Sequence, residues 1–103
     1  MITNTETEKI CTYIDEMIVD LLVPARTEKK INQEVFHRFY TLLEEIEKQV
    51  KNEEYIPRKI TGMLFFIYRS LSDEAAYCNY NDDLFMAAAK LEDMVDKIFG
   101  SPM

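Results

Sequence analysis

Residues 56–77, IPRKITGMLFFIYRSLSDEAAY, carry the densest apolar pattern of the chain. At helical spacing Ile60, Leu64, Ile67, Leu71 and Ala75 form one stripe. Met63 and Phe66 flank it on one side, Tyr68 and then Phe65 on the other. The polar gap holds only Arg58, Gly62, Arg69 and Asp73. A helix apolar over so much of its circumference is expected to be covered on several sides by the remaining helices.

The rest of the chain reads as three more amphipathic helices. The first is expected over 5–22: Thr5 and Glu8 have capping-box spacing, and Pro24 stands just beyond its end. Its stripe is Ile10, Ile14, Met17, Ile18 and Leu21. A polar, basic linker follows over 23–31. Asn32 announces the second helix, over 33–51, with Ile31 and Phe36 placed as a hydrophobic staple. Phe36, Phe39, Leu43, Ile46 and Val50 form its core face, flanked by Val35, Tyr40 and Leu42. The third helix is expected over 57–77, with Pro57 in its first turn, where no intrahelical donor is lost. The fourth, over 82–99, has Asn81 as cap, Tyr80 and Phe85 as staple, and Leu84, Ala88, Leu91, Val95 and Ile98 as stripe. Gly100 stops it. Short connections between helices of similar length favour antiparallel neighbours. The expected fold is therefore all-α, an antiparallel four-helix bundle forming one domain over 1–103.

The net charge of −7 argues against nucleic acid as a partner, since phosphate binding requires clustered cations. The charge is uneven. Glu6, Glu8, Asp15, Glu16 and Asp20 against Lys9 leave residues 1–22 at −4, whereas Arg58, Lys59 and Arg69 leave residues 57–72 at +3. Such a basic area suits peripheral contact with an anionic membrane surface or an acidic partner. The longest apolar runs are six residues, 63–68 and 84–89, against the roughly 20 that span a bilayer. The start, MITNTETEK, has neither the basic opening nor the apolar core of a signal peptide, so a cytoplasmic location is expected. Two free, partly buried thiols are the expected state of Cys11 and Cys78 in such a chain.

Catalytic patterns are weak. Glu34-x-x-His37 matches one half of a dimetal site, but His37 is the only histidine, and the second half has no source. Glu44 and Glu45 fall on the solvent side of the second helix. Asp93 lies opposite the stripe of the fourth, which argues against a paired acidic magnesium site. Neither cysteine has a base at recognisable spacing, and no phosphate-binding glycine loop occurs. The expectation is a non-enzyme without metal or cofactor. Two apolar residues escape the stripes: Val19 on the first helix, and Met86 on the fourth among Asp82, Lys90, Asp93 and Lys97. Met86 is a candidate for adaptable contact with a partner.

The second half carries a family pattern. Phe39-Tyr40-x-x-Leu43-Glu44 is followed by a short acidic connection, Ile56-Pro57, then Leu64-x-x-Ile67-Tyr68-x-x-Leu71 and Glu74-Ala75-x-Tyr77. An Asn-rich turn and a helix with Leu84 and Leu91 complete it. Over residues 32–99 this resembles the immunity proteins that protect bacteria against class IIa (pediocin-like) bacteriocins, the enterocin A immunity family. The resemblance implies binding without catalysis, in the cytoplasm and in part at the inner face of the membrane. The implied partner is the membrane-embedded mannose phosphotransferase permease, a sugar permease, with bacteriocin bound, met by a monomer or weak dimer. Specificity in that family is attributed to the C-terminal half, which points to Tyr77, Asn79, Tyr80 and Asn81 in the turn and to Met86, Lys90, Asp93 and Lys97 on the last helix. A small helical regulator or inhibitor of another soluble protein is the alternative reading.

Overall fold

The computed structural model describes residues 2–79 and 82–100. These form four helices, α1 (Asn4–Glu28), α2 (Gln33–Val50), α3 (Arg58–Ala75) and α4 (Asp83–Phe99), in an all-α four-helix bundle without a strand among the described residues.

Helix α1 departs most from expectation, at both ends. Its cap is Thr3, whose hydroxyl accepts from the Glu6 amide at 3.1 Å. Thr3-x-x-Glu6 has the same spacing as Thr5-x-x-Glu8, and the earlier pair is the one used, which leaves Glu8 free for α3. At the other end the helix runs through Pro24 to Glu28 instead of stopping at 22. Proline removes the donor that would pair with the Asp20 carbonyl, an interruption that costs about 3 kcal/mol. Burial beside it offsets the loss: Leu21 and Ala25 are fully buried and Leu22 nearly so. The helix ends at Lys29, in the left-handed region at φ 55°, and Lys30 N donates to the Pro24 carbonyl at 3.2 Å. The expected linker shrinks accordingly to residues 29–32.

The other helices follow their patterns more closely. The Asn32 side chain accepts from Val35 N at 3.2 Å, and Ile31 and Phe36 are both buried. Helix α3 begins directly after Pro57 and ends at Ala75, two residues short of expectation, so Tyr77 belongs to the turn. At α4 the capping position is held by Asp82, not Asn81. The Asp82 carboxylate makes no cap bond and accepts instead from Asn79 N at 3.0 Å. Asn81, and Tyr80 of the expected Tyr80–Phe85 staple, lie outside the described residues.

All five residues of the expected α2, α3 and α4 stripes are buried, while Ile18 of the α1 stripe is only half-buried. Among the described residues every buried side chain is apolar. The packed pairs are α1–α3, α3–α4, α2–α4 and α1–α2. Helices α2 and α3, consecutive in the chain, are thus not among the main packing pairs; residues 51–57 carry the chain across the bundle. In this ring each helix packs mainly against two others, so α3 is not wrapped. Phe65 and Phe66 stay 45% and 44% exposed, and Met63 and Tyr68 are half-buried.

Candidate partner-binding surface

The expected surface divides into a turn and a groove. In the turn after α3, Tyr77 is 81% exposed, its amide donating to the Glu74 carbonyl at 3.2 Å. Lys29 reaches it from the end of α1: its Nζ lies 5.4 Å from the Tyr77 ring centroid and is ion-paired with Glu74. The left-handed backbone at Lys29 brings the end of α1 to this corner. Asn79, held through its amide by Asp82, is exposed.

Met86, Lys90 and Asp93 come together along one side of α4. With Gln33 and Phe36 of α2 they border a depression of about 360 Å³. Met86 is 58% exposed. Lys90 Nζ stands 4.5 Å over the Tyr40 ring, a cation–π contact that ties α4 to α2. This side of α4 is therefore a groove shared with α2, not an isolated outer face. Lys97, nearer the end of α4, is exposed and does not border the depression. Asp83 links turn and groove: it also borders a second hollow of about 470 Å³ with Asp82 and residues 28–31. Sequence spacing missed the share of α2 and of the α1–α2 connection. Tyr40, at the edge of its stripe, was the one available signal.

Two other surfaces stand out, the second within the basic stretch 57–72. Between α1 and α2, Tyr13, Met17 and Leu42 make an apolar hollow of about 430 Å³ edged by Glu16, Arg38, Thr41 and Glu45. On α3, Gly62, Phe65, Phe66 and Arg69 border one of about 520 Å³.

For chemistry, the arrangement is sparse. Among the described residues no group of three His, Cys, Asp or Glu side chains comes close enough to hold a metal ion. His37 and Glu34 are exposed. Both cysteines are free thiols, Cys11 buried and Cys78 half-buried. Burial raises the Cys11 pKa, and the nearby Lys59 charge opposes the shift. No helix among the described residues is long and apolar enough to cross a membrane.

Comparison with protein-family models, curated proteins and solved structures finds no match in any of the three.

Proposed function

We propose that this chain is an immunity protein of the pediocin-like bacteriocin type. It acts by binding, without catalysis, to the sugar permease and its bound bacteriocin at the cytoplasmic face. The observation that carries the reading is the coincidence of an all-α four-helix bundle with the aromatic and aliphatic spacing of residues 32–99. The α2–α4 groove supports it further. An exposed Met86, a Lys90 held over Tyr40 and the carboxylates of Asp83 and Asp93 offer adaptable apolar contact beside charges of both signs. The Tyr77 turn continues that surface through Asp83.

The test is protection. The chain is produced inside a bacterium sensitive to pediocin-like bacteriocins, and a panel of those peptides is titrated against it. A raised inhibitory concentration for one or two peptides is the expected result and names the cognate. Met86→Asp with Lys90→Glu is expected to abolish the rise while leaving helicity unchanged. No rise across the panel, with folded protein present in the cells, overturns the reading in favour of a helical regulator of another protein.

A further inference from the structure

We propose that the outer face of α3 docks the protein on an anionic lipid surface, with Phe65 and Phe66 entering the headgroup region and Arg58 and Arg69 meeting lipid phosphates. Opposite its buried stripe, α3 places Arg58, Gly62 and Arg69 in a row, with a phenylalanine on each side. Phe65 is steadied by stacking on Phe99, ring centroids 5.1 Å apart, and still leaves 45% of itself in solvent. Phe66 is 44% exposed. The apolar band continues onto α4. The hollow beside Phe66 and the one beside Phe85 share Tyr68 and Ser72 as borders, Phe85 is itself 37% exposed, and Glu92 marks the acidic far edge of the second hollow. Several part-exposed rings on one side of the molecule mark an interaction surface more than scattered single residues do.

Charge identifies the occupant. The chain carries −7 overall, yet the first three turns of this face hold no acidic side chain; Asp73 comes only in its last turn. Lys59 is already engaged by Glu8, but among the described residues Arg58 and Arg69 have no ion-pair partner. A second copy of the chain is disfavoured, because a two-fold contact through this face would set arginines against arginines. Gly62 adds a separate indication. A methyl group there would meet nothing within 4 Å, so internal packing does not require the glycine. Its absence of a side chain opens the notch between the two rings. Guanidinium groups on phosphates with rings at headgroup depth are the recognised chemistry of interfacial attachment.

The inference does not rest on the immunity reading, since lipid binding and protection are separate measurements. The experiment is flotation of the full chain with phosphatidylcholine vesicles, with and without phosphatidylglycerol. Flotation with the phosphatidylglycerol vesicles alone, weakened by salt, is expected. Replacing Arg58 and Arg69 by Gln is expected to lower binding about five-fold for each arginine. Phe65→Ser with Phe66→Ser is expected to abolish it, with helicity checked by circular dichroism. Absence of flotation overturns the proposal. Equal binding to phosphatidylcholine alone, or binding indifferent to the α3 variants, also overturns it.

Discussion

Lys59 Nζ, in the first turn of α3, lies 3.2 Å from each carboxylate oxygen of Glu8 on α1. The pair ties the first turn of α3 to α1 and takes up the acidic residue that capping-box spacing had assigned to the start of α1. The Glu8 hydrogen bond first, and its charge second, raise the Lys59 pKa above the ordinary lysine value. A raised folded-state pKa gives stability that is fully present below the unfolded value and is lost as pH rises through the folded one. Lys59→Gln is therefore expected to lower the urea midpoint slightly at neutral pH. That difference should vanish in strongly alkaline buffer and shrink with added salt, because the pair is exposed. A deficit unchanged by alkali would mean that the lysine acts through packing.

Leu64 is fully buried in the middle of α3. Its replacement by Ala leaves a cavity between α1, α3 and α4 and is expected to destabilise the protein by about 2–5 kcal/mol in urea titration. A loss below about 0.5 kcal/mol would contradict the central place of the α3 stripe.

Pro24 interrupts a helix that continues past it, so Pro24→Ala restores one donor and removes a ring clash. The unfolded chain gains freedom at the same time, which offsets part of the benefit. A net gain of about 1–2 kcal/mol is expected, read as a higher urea midpoint. A loss would show that the bundle depends on the interruption for its α1–α2 connection.

The two thiols should differ in reactivity. Burial disfavours the Cys11 thiolate, and the thiolate is the nucleophile, so iodoacetamide should modify half-buried Cys78 first in the native protein. In urea both should react at similar rates. Mass spectrometry of the partly labelled chain decides; equal native rates would mean that α1 opens readily near Cys11.

Much of this architecture was legible without coordinates. The stripe residues of α2, α3 and α4 are buried because a hydrophobic period of 3.6 admits only one inward face on each helix. The Asn32 cap was legible because a short polar side chain before an apolar run has one strong local use. Helix boundaries were less so. Thr3 and Thr5 offer the same capping spacing, and the stop expected at Pro24 was outweighed by the burial of Ala25, which depends on what α1 packs against. Of the candidate surface, Met86 was legible as an apolar residue off its stripe. Its neighbours across the groove, Gln33 and Phe36, were not, because they come from another helix.

The sequence by itself determined four helices, their inward faces and the distribution of charge, all of which are local or periodic properties of the chain. The tertiary structure decided which faces meet. It set α2 and α3 apart from one another although they are consecutive, and left Phe65 and Phe66 in solvent although α3 is apolar nearly all round. The physical reason is that burial requires a partner surface. In a ring of four helices each packs mainly against two neighbours, so hydrophobicity beyond the inward stripe stays exposed, available for contact with something else.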